Sequence, residues 1–137
     1  MLAFCKLDSH DGRMTKFRSG CPIASSLDLV GDKWTLLIVR SLAMGASSYS
    51  DLARQPEKIA SNILADRLSR MVAAGLLSEA ARRQGVHKGC YRLTAKGAAL
   101  LPVIQALARW GEAELPERWN APERFYAMRP ADLDCGV

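Results

Sequence analysis

The sequence predicts a mainly α fold, of the α+β class, in which a two-stranded β-hairpin follows a pair of adjacent helices. After residue 20, apolar residues recur mostly at the three- and four-residue spacing of amphipathic helices. Two strand-like runs, "GLLSEAARR" and "CYRLT", flank the Gly-containing turn "QGVHKG". The length of 137 residues suits one domain with a single core.

Two helices at the start of the periodic region have recognisable ends. In "CPIASSLDLVG", Pro22 suits the first helical position and Gly31 suits the C-cap. Asp32 is a candidate N-cap for the helix in "DKWTLLIVRSLAMG", which Gly45 ends. Residues 1–20 show no such period, so we expect a flexible N-terminal arm before the domain.

A short helix and a longer one then form a helix-turn-helix unit. "SYSDLARQ" predicts the short helix, with Ser50 as its N-cap, and "PEKI" interrupts it. "SNILADRLSRMVAAG" predicts the longer helix, which Ser61 can cap. The apolar stripe of the longer helix, which leaves its opposite face small and polar, comprises Leu64, Leu68, Met71 and Gly75.

The hairpin directly after this unit predicts the winged variant of the helix-turn-helix. Because side chains alternate along a strand, Cys90, Arg92 and Thr94 share one face of the second strand, and Tyr91 and Leu93 share the other. Arg92 is then expected to point outward and Tyr91 inward. The wing is therefore expected to present basic groups and to attach to the domain through apolar ones.

A final long helix is predicted in "TAKGAALLPVIQALARWGEAEL", with Pro102 causing a kink or a restart. Its apolar stripe comprises Leu100, Val103, Ile104, Leu107 and Trp110. We expect the winged domain to cover residues 21–119. Residues 120–137 form a C-terminal tail in which the aromatic residues between prolines suggest a short extra helix.

Charge and composition narrow the class of function. The net charge is +5, and residues 1–110 hold sixteen Lys or Arg against eight Asp or Glu. This basic body suggests a polyanionic partner, although mild basicity that only aids solubility explains the charge equally well.

No apolar run is long enough for a membrane helix, which favours the cytoplasm. No catalytic motif or metal-ligand spacing is present, so we expect no enzyme, cofactor or metal site.

The helix-turn-helix and the wing together predict a surface for double-stranded DNA. The second helix of such a unit lies in the major groove, where small or polar residues near its start meet base edges. The residues expected to read bases are Ser61, Asn62, Ala65 and Asp66. Those expected to contact phosphates are Ser50, Arg67, Arg70, Arg82, Arg83, Lys88 and Arg92. The alternatives are an ordinary surface helix and a solvated charged turn.

Cys21 precedes Pro22 at a helix N-terminus, where the helix dipole can lower the pKa of a thiol. A reactive thiolate at this position could sense an oxidant. The alternative is a small buried apolar residue, which is the more common role of an unpaired cysteine. Cys90 is expected to be a packing residue in its strand.

Four motifs in order resemble the HxlR-type winged helix-turn-helix regulators, which are relatives of the MarR group. They are the Cys-Pro start, "DKWT", "NILADRL" and "YRLTAKG", and the resemblance covers about residues 21–110. It implies a DNA-binding homodimer that controls transcription, and such a dimer is expected to bind a pseudo-palindromic site. Some members of the family sense electrophiles or oxidants through a cysteine near the N-terminus, and Cys21 matches that position. An oxidant or a small molecule is therefore the class of effector to expect, if the protein has one. One departure is Asp32, where family members often have a second Gly. The implied dimer interface comprises Ile23, Leu27, Leu100, Val103, Ile104, Leu107 and Trp110.

Overall fold

The computed structural model describes residues 17–80 and 89–133. The helices are α1 (Pro22–Val30), α2 (Thr35–Ala43), α3 (Tyr49–Ala53), α4 (Ser61–Ala73), α5 (Ala95–Ala98), α6 (Leu101–Glu114) and α7 (Glu123–Ala127). Strands β1 (Leu77–Glu79) and β2 (Tyr91–Leu93) lie between α4 and α5 and pair antiparallel. This order confirms the mainly α fold with a hairpin after the helix-turn-helix unit.

The core is built from one face of each long helix and from the inner side of the hairpin. Leu64 and Leu68 of α4 are almost completely buried, as are Val39 of α2 and Leu101 of α6. On β2, Leu93 is buried while Arg92 is exposed, which confirms the predicted alternation. The apolar stripe of α4 therefore faces the core and its polar face remains at the surface.

The end of α4 differs from the predicted stripe in one residue. The helix stops at Ala73, so Gly75 does not contribute to its apolar face. Gly75 instead adopts a φ of +78°, in the left-handed region that glycine tolerates best. This conformation turns the chain from α4 into β1.

Two predicted helix caps are wrong. The N-cap of α3 is Ser48, not Ser50: its Oγ accepts from the backbone N–H of Asp51, whose carboxylate accepts from the N–H of Ser48. This reciprocal capping box starts the helix at Tyr49 and leaves Ser50 inside it. The residue before α4 is Ala60, and Ser61 is the first helical residue and makes no side-chain cap.

Asp32 does cap the first turn of α2, as predicted, although Trp34 directly precedes the helix. Its Oδ2 accepts hydrogen bonds of 3.0 Å from the backbone N–H groups of Trp34 and Thr35. At the end of α1, Gly31 is the C-cap, also as predicted. The adjacent residues Gly31 and Asp32 thus end α1 and begin α2.

The predicted long C-terminal helix is interrupted. A break between α5 and α6 places Pro102 at the second position of α6, which is the restart that the sequence allows. Gly97 in α5 packs so closely on Leu76, the residue before β1, that an added Cβ would overlap the carbonyl oxygen of Leu76. The glycine of the "TAKG" segment therefore lets α5 approach the hairpin.

The chain after residue 119 forms α7 and packs against α6. Phe125 is 5% exposed and belongs to the core. Nε2 of Gln105, itself buried, donates hydrogen bonds of 2.8 Å to the carbonyl oxygens of Phe125 and Met128. The packed part of the chain thus extends past the boundary at residue 119 that the sequence suggested.

Candidate nucleic-acid interface

Helix α4 presents a small polar face to solvent. Leu64, Leu68 and Met71 on its inner side are each at most 2% exposed. The four residues expected to read bases all lie on its exposed side, namely Ser61, Asn62, Ala65 and Asp66. The side chains on this face are short, so a DNA groove could approach the helix axis closely.

A cleft separates this polar face from the hairpin. Besides residues of α4, it is lined by Tyr49 of α3, Glu79 of β1, and Gly89 and Tyr91 of the returning strand. The hydroxyl of Tyr49 donates a 2.9 Å hydrogen bond to the carbonyl oxygen of Ser61, which ties α3 to the start of α4. The sequence did not predict that Tyr49 and Glu79 line this surface, because no local spacing indicates that Tyr49 contacts Ser61, twelve residues later.

Arg67 is held by two carboxylates and is only 22% exposed. Its Nε donates to Oδ2 of Asp32 at 3.0 Å, and its Nη1 donates to Oδ2 of Asp66 at 2.6 Å. Arg67 is therefore placed differently from the outward cation that the sequence suggested for phosphate contact.

The other expected phosphate contacts lie in different surroundings. Arg70 is 70% exposed and pairs with Asp66 one turn before it on α4, at 3.1 Å. Arg92 is exposed on β2, and Ser50 is exposed on α3. Three more expected contacts fall outside the described residues: Arg82, Arg83 and Lys88.

The local environment keeps Asp32 ionised. Partial burial, the strongest single influence, raises the pKa of its carboxyl. Hydrogen bonds from Thr35, Trp34 and Arg67 act in the opposite direction, and together they hold the pKa below its ordinary value of 3.8. At neutral pH, a carboxylate at the junction of α1 and α2 thus faces the guanidinium of Arg67.

Large apolar side chains remain exposed on α1 and α6. Ile23 and Leu27 of α1 are 64% and 54% exposed. On α6, the exposed ones at helical spacing are Val103, Leu107 and Trp110. Of the remaining residues expected at a dimer interface, Leu100 is half-buried, and Ile104 is buried in the core.

The two cysteines among the described residues have different environments. Cys21 directly precedes α1 and is half-buried, and its backbone N–H donates to Oγ of Ser19 at 3.2 Å. Cys90 is exposed next to β2, so its expected role as a packing residue is wrong. Because side chains alternate along a strand, Cys90 lies on the same outward face as the exposed Arg92, which explains this exposure.

The sequence relationship agrees with this geometry. The model of the HxlR-like helix-turn-helix family matches residues 29–119. The chain belongs to this family. Rv3095 of Mycobacterium tuberculosis, named an uncharacterized HTH-type transcriptional regulator, is 34% identical over 103 residues, covering 75% of this chain and 65% of the relative. The chain thus spans about 65% of the length of that mycobacterial relative.

Solved structures of similar proteins have the same fold. PA1607 superposes with a TM-score of 0.65 at 37% identity, covering 74% of this chain and 71% of PA1607. The redox regulator HypR in its oxidized form gives a TM-score of 0.63 at 26% identity, covering 69% of this chain and 97% of HypR. These matches confirm the winged helix-turn-helix fold of this HxlR-like chain.

Proposed function

We propose that this HxlR-like protein regulates transcription by binding specific DNA sequences, with α4 in the major groove and the hairpin against the backbone or the minor groove. The observation that carries the proposal is the exposed polar face of α4, which is supported from behind by a buried apolar stripe. This is the arrangement that a recognition helix needs. The names of relatives such as Rv3095 support the same role.

A mobility-shift assay with fragments of the source genome tests this function. We expect a few fragments to be retarded in the presence of excess random-sequence DNA, because base contacts add to the phosphate contacts that all DNA offers. A protein that retards no fragment, or all fragments equally, would favour the rival function. That rival is a winged-helix module that binds another protein without binding DNA.

The active form in this proposal is a homodimer on a pseudo-palindromic site. Two recognition helices would then lie roughly 34 to 36 Å apart, one DNA turn. The exposed apolar side chains of α1 and α6 support the proposal, since a soluble monomer rarely exposes a large apolar surface without a partner.

A second candidate function is the sensing of oxidants through Cys21. It is favoured by the position of Cys21 directly before α1, the helix that carries the exposed Ile23 and Leu27. Hydrogen peroxide would transfer one oxygen atom to the thiolate to form a sulfenic acid, and its second oxygen atom would leave as hydroxide and take up a proton to form water. The similarity to HypR, which is named a redox regulator, agrees with this candidate.

Oxidant sensing is tested by treating the protein with mild peroxide and measuring both mass and DNA affinity. We expect oxidation to change the affinity of the wild type and of a Cys90→Ser control, but not that of Cys21→Ser. An equal response of Cys21→Ser and wild type would exclude Cys21 as the sensor.

The proposed location is the cytoplasm. No helix within residues 17–80 and 89–133 is long and apolar enough to cross a bilayer. Fractionation of cells that express the full chain tests this location, and recovery of the protein with the membranes would contradict it.

A further inference from the structure

Three charged side chains connect the polar face of α4 to the junction between α1 and α2. Asp32 lies in that junction and accepts a hydrogen bond from Arg67 at 3.0 Å. Arg67 donates in turn to Asp66, the adjacent residue on α4, at 2.6 Å. The guanidinium of Arg67 thus bridges two carboxylates that come from different parts of the fold.

The Asp32 end of this connection is fixed to the backbone of α2 by hydrogen bonds. Oδ2 of Asp32 also accepts from the N–H groups of Trp34 and Thr35, and its Oδ1 accepts from the hydroxyl of Thr35, which is 2% exposed. Because Asp32 cannot move without uncapping α2, it is a rigid support for Arg67. The planar fork of an arginine can hold two carboxylates in fixed directions.

Arg67 would have to give up this geometry to contact a phosphate. Its side chain is 22% exposed, whereas that of Arg70, on the same helix, is 70% exposed. A guanidinium that is already neutralised by two carboxylates contributes little to counterion release. The position of Arg67 is better suited to orienting Asp66 than to contacting the DNA backbone.

Asp66 lies on the base-reading face and is 48% exposed. Among the described residues, the ion-pair contacts of Asp66 with Arg67 and Arg70 are both made by Oδ2, which leaves Oδ1 to accept from a base. An ionised carboxylate can only accept hydrogen bonds. In the major groove, the usual donor to an Asp or Glu is N4 of cytosine.

We propose that Asp66 reads a cytosine at one position of each half-site, and that Arg67, supported by Asp32, is the positioning residue that directs the Asp66 carboxylate. This inference rests on the proposed DNA-binding function. It adds the identity of one base and gives Arg67 a role other than phosphate contact.

The base assignment is tested with the full chain and with binding sites selected from random duplex DNA. Affinities are then measured for the selected site with each of the four bases at every position. We expect the wild type to prefer cytosine at one position of each half-site by roughly tenfold. In Asp66→Asn the amide can both donate and accept, so the preference at that position should move toward adenine. An unchanged preference at every position in Asp66→Asn would overturn the assignment.

The positioning role is tested with Arg67→Gln and, as a second variant that retains the capping geometry, with Asp32→Asn. Both should reduce the preference for cytosine at the position that Asp66→Asn affects, by severalfold, with the other positions unchanged. The slope of log K against log salt should stay as in the wild type. If Arg67→Gln instead lowers this slope by about 0.9 per protomer and keeps the preference, Arg67 is a phosphate contact and the proposal is overturned.

Arg92→Gln is the matched control, because Arg92 is an exposed arginine on the hairpin. It should lower the salt slope and leave every base preference intact. Failure of the proposed DNA-binding function can be distinguished from failure of the inference about Asp66. A wild type that selects no sequence at all contradicts the proposed function. A wild type that selects sequences, with an Asp66→Asn variant that selects the same ones, contradicts only the inference about Asp66.

Discussion

At the scale of single residues, Asp32 shows how one side chain can serve two elements. It caps α2 through two backbone N–H groups and pairs with Arg67 of α4 at 3.0 Å. A glycine at this position could make neither contact. The junction of α1 and α2 is therefore connected to α4 by side-chain hydrogen bonds.

Replacing Asp32 by Ala should destabilise the fold in a pH-dependent way. Loss of the cap should lower the free energy of unfolding by about 0.5 to 2 kcal/mol at pH 7. Since the folded-state pKa of Asp32 lies below 3.8, the contribution of its charge is complete above the pKa of the unfolded chain. It is lost as the pH falls through the lower folded-state value.

Urea unfolding of Asp32→Ala and wild type at pH 7 and pH 3 measures this difference. The gap between the two proteins should narrow at pH 3, which lies below the ordinary pKa of 3.8, because the unfolded wild-type chain then binds a proton more readily than the folded chain does. Ser69→Ala, at an exposed position of α4, should match the wild type at both pH values. A gap that widens at pH 3 would contradict the predicted sign.

Asn62 is the second residue of α4, and its exposed amide is the best candidate for a bidentate contact with adenine. Asn62→Ala should cost about 1 to 3 kcal/mol of DNA-binding free energy on the specific site and relax the preference at one base position. Its affinity for random DNA should hardly change. Titrations with specific and random duplexes test this, and equal losses on both would show that Asn62 does not read a base.

At the scale of elements, the periodic spacing of apolar residues predicted the helices and strands better than single residues predicted the helix caps. The helices and the hairpin appear in the predicted order, because burial of an apolar stripe determines where a helix lies. The cap of α3 was missed because Ser47, Ser48 and Ser50 compete at its start, and only the reciprocal bond between Ser48 and Asp51 decides between them. The cap of α4 was missed because the helix begins at Ser61 itself and has no side-chain cap. The bridge from Arg67 to Asp32 spans 35 residues, and no sequence spacing indicates such a contact.

The packing of α7 also depends on a contact that the sequence does not reveal. Gln105 is a polar residue in an apolar stripe, and its side chain is buried because it binds two carbonyl oxygens of the C-terminal segment. The aromatic residues after Trp119 indicated a short helix. They did not indicate that Phe125 would join the core.

Gln105→Ala should therefore loosen the C-terminal segment and destabilise the protein. Removing the amide leaves the carbonyl oxygens of Phe125 and Met128 without their donor, which costs about 1 to 3 kcal/mol. Hydrogen exchange should show faster exchange in Glu123–Ala127, and urea unfolding should give the loss of stability. Asn120→Ala, at an exposed position just before this segment, is the control and should behave as the wild type. Unchanged exchange in Gln105→Ala would mean that Phe125 alone holds α7.

At the scale of the whole molecule, the described residues present short polar side chains on α4 and large apolar side chains on α1 and α6. The polar face of α4 and the exposed Arg92 of β2 suit DNA. The exposed apolar side chains of α1 and α6 suit a second copy of the chain. Ile104 does not add to this apolar surface, because the core of its own protomer already buries it.

Leu107→Glu tests the apolar surface, because Leu107 lies at the middle of the exposed stripe of α6 and is 54% exposed. In a two-fold dimer the substitution occurs twice, and each copy loses roughly 1 to 2 kcal/mol of apolar burial. The dissociation constant of the dimer should therefore rise at least tenfold. Sedimentation over a range of concentrations measures this shift, and affinity for a two-half-site duplex should fall with it. Asn120→Glu adds the same charge at an exposed polar position and should leave both measurements unchanged. A wild type that sediments as a monomer at micromolar concentration would contradict the dimer, and the exposed leucine and tryptophan side chains would then need a different partner.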